Sequence, residues 1–145
     1  MVLEFFVAQR PRQKGNSKRL IRVGRARRWM LVPRTDDKVA EDALAARVQA
    51  FRPPAPLFGP VRLDVTFCMP VPRSWPLRRR EAALAGRELP AVRPDRGNLL
   101  KLVEDALEGP FYADDGQIVA GEVAKVYAEI PGYRIRLASL PEVQP

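Results

Sequence analysis

The chain has 145 residues, with 25 Lys and Arg against 17 Asp and Glu, one cysteine and no histidine, giving a formal charge of +8. That length suits a single domain, expected to span residues 1–145, and so basic a surface favours nucleic acid as partner ahead of an anionic membrane. A lone Cys68 excludes an internal disulfide, and without histidine no His- or Cys-rich metal site and no Ser-His-Asp or Cys-His nucleophile can form, so catalysis would rest on carboxylates, lysine, arginine or hydroxyls and any metal would be a hard cation, Mg2+ or Mn2+.

Val2 to Val7 is apolar and rich in β-branched and aromatic residues, and predicts a strand ending before Pro11. With Glu4 early and only a short apolar run, Met1 to Arg10 lacks the pattern of a secretory signal. No segment is long enough to span a bilayer, and a cytoplasmic protein is expected. From Arg10 to Arg28 there is no acidic residue among nine cations, including Arg10, Arg12, Lys14, Lys18 and Arg19. Such a run repels itself, and predicts a basic arm or loop that tracks phosphates.

Trp29 to Val32 predicts a short strand, and Thr35, followed by Asp36 and Asp37, an N-cap. The helix it opens runs to about Phe51, with Ala40, Ala43, Leu44, Val48 and Phe51 at core spacing and Pro53-Pro54 as its stop. Val61, Leu63, Val65, Phe67 and Met69 then alternate with Arg62, Asp64, Thr66 and Cys68, the period of a half-buried strand; Cys68 is expected to be a buried small residue. The exposed segment from Pro70 to Arg93 holds Trp75, expected to pack as an anchor rather than stack on a base, then the cluster Arg78, Arg79 and Arg80 and a short helical stretch. A second main helix is predicted from about Asn98 to Glu108, with Leu99, Val103, Ala106 and Leu107 on its apolar face and Lys101, Glu104, Asp105 and Glu108 on one polar stripe. Beyond the turn at Asp114-Asp115-Gly116, Gln117 to Glu129 alternates. Ile130-Pro131-Gly132-Tyr133 has the order of a type II turn, which predicts a C-terminal hairpin.

Arg93 to Lys125 reads RPDRGNLLKLVEDALEGPFYADDGQIVAGEVAK. In it Asp95, Asn98-Leu99, Lys101, Asp105-Ala106-Leu107, Asp114-Asp115, Gln117 and Lys125 keep the order and spacing of a known pattern. By these motifs the chain resembles the RusA family of Holliday junction resolvases over most of its length. The resemblance implies a bacterial or phage-encoded homodimer that grips four-way junction DNA and nicks two strands symmetrically, with one Mg2+-dependent site per subunit. Asp95 and Asp115 would hold the metal, Lys101 would contact the scissile phosphate or orient the attacking water, and Lys125 would join the basic residues on the DNA. Gly97 stands where the family has its second aspartate, so one ligand is lost. The site is then expected to be inactive or weakened unless Asp105 or Asp114 compensates.

The fold expected is α+β, a mainly antiparallel or mixed sheet packed against two main helices, RusA-like. Individually, Asp95 or Asn98 could cap a helix, Asp114-Asp115-Gly116 could be a tight turn, and Lys101 could pair with Asp105. A non-catalytic junction-binding protein and a basic RNA-binding structural protein are the alternatives.

Overall fold

The computed structural model describes residues 1–13, 18–25, 28–33 and 35–142, and of residues 18–23, 29–33 and 35–37 the backbone alone. In chain order the elements are β1 (Val2–Val7), β2 (Lys18–Val23), β3 (Arg28–Pro33), α1 (Thr35–Val48), β4 (Val61–Pro70), α2 (Leu77–Leu84), α3 (Arg96–Leu107), β5 (Ile118–Ala120), β6 (Val123–Ala128) and β7 (Gly132–Ser139). The class is α+β, with a mixed sheet and helices packed on it.

Alternation in β4 does what its period dictates. Val61, Leu63, Val65 and Phe67 are at most 2% exposed on the inner face, while Arg62, Asp64 and Thr66 point the other way. β7 presents Tyr133, Ile135 and Leu137 to the same inner face and pairs antiparallel with both β4 and β1. Leu44 and Val48 of α1 and Leu99, Leu102, Val103 and Leu107 of α3 close over that face, all fully buried in one cluster. Burial of each such side chain stabilises the fold by roughly 1.5–3 kcal/mol, so the inner face carries most of the stability. Phe51, in the single 3-10 turn after α1, is 40% exposed yet stacks on Phe5 with ring centroids 4.7 Å apart. Ala43 is half-buried.

Four expectations need correction. The basic stretch is not a loop throughout: Lys18–Val23 is a strand paired antiparallel with β3, because Leu20, Ile21 and Val23 between the cations supply β-formers that the charge run obscured. Thr35 is the first residue of α1 rather than its cap, and Arg34 lies outside the described residues. The alternating run after Gln117 is two strands broken at Gly121-Glu122.

The C-terminal hairpin is also absent, since β6 runs parallel to β4 on one side and β7 antiparallel to it on the other. Strands flanking a common neighbour are about 10 Å apart, and the three residues between Ala128 and Gly132 reach roughly 13 Å, enough to cross the end of β4. Gly132 is not in the left-handed region a type II turn needs. It is required for space: a Cβ there would lie 2.2 Å from Phe6 Cζ and 2.5 Å from Val7 O.

Candidate active site

The site is built along α3 and the turn that follows it. Asp95 caps the helix, its Oδ1 accepting from the Asn98 backbone N–H at 2.8 Å and its Oδ2 from Asn98 Nδ2 at 3.1 Å. Of the two candidate caps, Asp95 therefore takes the role and Asn98 becomes its partner. Two turns on, Lys101 leaves the exposed face, because Leu99, Leu102 and Val103 are committed to the core. Its Nζ lies 3.2 Å from Asp105 Oδ1 and 3.2 Å from Asp115 Oδ2, tying α3 to the turn.

That turn is held by its own side chains. Asp114 Oδ1 accepts from the Gly116 N–H at 2.7 Å, and Gln117 Oε1 accepts from the N–H groups of Ala113 and Asp114 at 2.9 and 3.0 Å. Gln117 Nε2 donates to Leu57 O and Gly59 O, so this one residue anchors the turn to the loop before β4. Asp114 is thereby a turn residue, and Asp115 is left to face α3, its N–H donating to Glu108 Oε1 at 3.3 Å.

Asp105, Glu108 and Asp115 each offer a carboxylate oxygen within 4.8 Å of the others. Asp115 and Asp105 were singled out in the sequence; Glu108 was only a member of the polar stripe. Its signal was the Asp105-to-Glu108 spacing of three, which puts both carboxylates on one helical face. Asp95 is not in this group. It caps the helix start, ten residues and about 15 Å of helix rise from Asp105.

The electrostatics follow from this crowding. The hydrogen bonds that Lys101 donates to Asp105 and then to Asp115 raise its pKa and hold it as an ammonium. Burial pushes the half-buried Glu104 carboxyl up, Lys101 opposes that, and the charges on Asp115 and Asp105 add to it. Tyr112, fully buried with its hydroxyl donating to Glu104 O at 2.7 Å, is driven well above the ordinary phenol range by burial and then by Glu104. Hard oxygen donors without nitrogen or sulfur fit a divalent cation of the Mg2+ or Mn2+ kind.

Lys125 does not stand free on the surface. Its Nζ donates to Val92 O at 2.6 Å and Pro94 O at 2.8 Å, pinning the loop that delivers Asp95 to β6. Arg10 and Arg12 are exposed just after β1, and the Arg12 N–H donates to Tyr133 Oη at 3.1 Å. Lys14 lies outside the described residues, and Lys18 and Arg19 are on β2. On α2, Arg78 is exposed and Arg80 half-buried. Arg79 makes a forked pair with Glu88 and lies 3.6 Å over the Trp75 ring. Trp75 in turn meets Tyr127 edge-on at 5.4 Å, the anchoring role expected of it.

A relative in Bacillus subtilis (strain 168), the uncharacterized protein YqaN, is 31% identical over 137 residues, covering 93% of this chain and 94% of that protein. The family described as endodeoxyribonuclease RusA matches residues 9–138, which takes in α1 to α3, every strand but β1 (β7 to its penultimate residue) and every site residue above. The chain belongs to the RusA endodeoxyribonuclease family.

Proposed function

We propose that this protein is a Mg2+-dependent, structure-selective endodeoxyribonuclease that, as a homodimer, resolves four-way DNA junctions by paired symmetric nicks, with activity weakened by Gly97. One observation carries the reading: Lys101 bridges Asp105 and Asp115 beside Glu108, setting an ammonium among hard oxygen donors on a strongly basic chain.

In phosphodiester hydrolysis a water oxygen bonds to phosphorus as the bond to the leaving oxygen breaks. The water loses a proton and the leaving oxygen gains one. Lys101, kept protonated by its neighbours, is placed to meet a phosphate oxygen while swinging from its carboxylate partners. Asp115 belongs to both sets of candidate ligands, with Asp95 by family resemblance and with Asp105 and Glu108 by geometry. A bound divalent cation would neutralise charge on the phosphate and acidify the attacking water. Asp95 caps the opposite end of α3 from Asp105 and Glu108, so it would share a cation with Asp115 only in place of those two, with its carboxylate already engaged in the cap.

The test is cleavage of an end-labelled synthetic four-way junction in Mg2+ and in Mn2+, with linear duplex as control. Paired nicks by this chain or by Gly97→Asp, lost in Asp115→Asn, support the reading. Glu108→Gln and Asp95→Asn then tell which ligand set operates. One observation, Gly97 itself, favours a second reading, a junction-binding protein that does not cut. Binding without products in every variant would establish it. Sedimentation of the free protein checks the dimer.

A further inference from the structure

Next to the loop that carries Asp95 is a cavity of about 160 Å³ that the proposed chemistry does not use. Its walls include Met69, Pro72, Val92, Pro94 and Tyr127, and Arg10 and Arg93 line it as well. Resting on the junction-nuclease reading, we infer that this cavity receives a single unstacked nucleobase from the bound DNA strand, adjacent to the scissile phosphate.

Size comes first. The volume is below the roughly 300–1,000 Å³ of pockets for drug-sized ligands, and it suits one planar ring rather than a duplex end or a helix. Largely apolar walls that include an aromatic residue suit a base, since stacking needs only a π-system and tolerates any sequence. Tyr127 is held in place by its T-shaped contact with Trp75, and Trp75 is itself held by Arg79 over its ring. The exposed Arg10 and Arg93 supply the charge that the phosphates flanking that base would need.

Position is the second argument. Val92, Arg93 and Pro94 line the cavity and lead directly into Asp95, and Lys125 locks this wall through Val92 O and Pro94 O. A base seated there fixes the sugar-phosphate next to it relative to α3. Extrusion costs least where pairing is already disturbed, as at the crossover of a four-way junction.

The test places 2-aminopurine singly at each position flanking the crossover of a junction, in EDTA to prevent cleavage, with a distant fluorescein reporting binding by anisotropy. The expected result is a several-fold rise in 2-aminopurine fluorescence at one position on saturation. That rise should be at least halved in Tyr127→Leu and in Arg10→Ala, the second altering only an exposed side chain, when anisotropy shows full binding. No rise at any position, or an equal rise in the variants, with anisotropy intact, overturns the base subsite and leaves the junction reading standing. Flat anisotropy with the unaltered chain overturns both. Sedimentation of Tyr127→Leu adds a further check: loss of a dimer that the parent chain forms would assign the cavity to a subunit contact and overturn the base subsite.

Discussion

A Cβ added at Gly97 would rest 3.8 Å from Oδ1 of Asp95, an ordinary van der Waals distance, with no closer neighbour outside its own turn. The backbone there is regular helix, so the missing aspartate is missing for no steric reason.

Gly97→Ala is therefore expected to stabilise the protein by about 0.5–1 kcal/mol, independent of metal, by removing glycine from a helix. Gly97→Asp gains the same propensity and a favourable place in the first turn, but sets a second carboxylate beside Asp95. Its melting temperature should rise with added Mg2+ more than that of Gly97→Ala, and its junction cleavage should exceed that of the unaltered chain. Equal Mg2+ responses of the two variants in thermal melts would refute the ligand assignment.

Lys101→Met leaves Asp105, Glu108 and Asp115 facing one another without the ammonium that now joins two of them. Stability should fall at low ionic strength and recover with salt or with Mg2+. Cleavage should stay lost under both conditions. Because Lys101 is 48% exposed, the stability change is expected to be small, and chemical denaturation at two salt concentrations measures it.

Gly121 is where the chain passes from β5 to β6, and a Cβ there would fall 1.8 Å from Leu63 O. The Asp64 carboxylate accepts the next N–H, from Glu122, at 2.8 Å, so the close approach is bolted from both sides. Gly121→Ala and Gly132→Ala should each cost roughly 1–3 kcal/mol or more, because in both cases backbone has to move. Urea unfolding midpoints of the two variants check this, with Gly97→Ala as the tolerated control.

Glu104 gives a pH signature. Its folded carboxyl is raised above the ordinary value, so the folded state binds the proton more tightly than the unfolded one. The stability this confers is full below the ordinary glutamate pKa and is lost as pH rises through the raised folded value. Glu104→Gln should therefore be more stable than the unaltered chain at pH 7, and the gap should close near pH 4. Melting temperatures between pH 4 and 8 report it; a gap that widened on acidification would contradict the burial argument.

Much of the candidate site was legible because its residues are close in sequence. Asp105, Glu108 and Lys101 share a helical face by spacing alone, and Asp114-Asp115-Gly116 carries the chemistry of a turn. The choice between Asp114 and Asp115 was not legible, since it depends on which carboxylate the turn consumes, and Asp114 is taken by the Gly116 N–H. Arg79 likewise looked like a free cation within Arg78 to Arg80, whereas Glu88, nine residues away, pairs with it.

From the sequence alone came the apolar composition of β1, the hydrophobic periods of β4, α1 and α3, the carboxylate-and-lysine chemistry left by a chain without histidine, and the motif spacing around Asp95 and Asp115. These are properties of residues within a few turns of one another, where covalent geometry limits the choices. The tertiary structure decided that β6 and β7 straddle β4 instead of pairing, and that Lys125 braces the Asp95 loop. It also brought Asp115 across to Glu108. Alternation is the same for a strand whichever neighbour it pairs with, so only the packing of the whole sheet could choose between them.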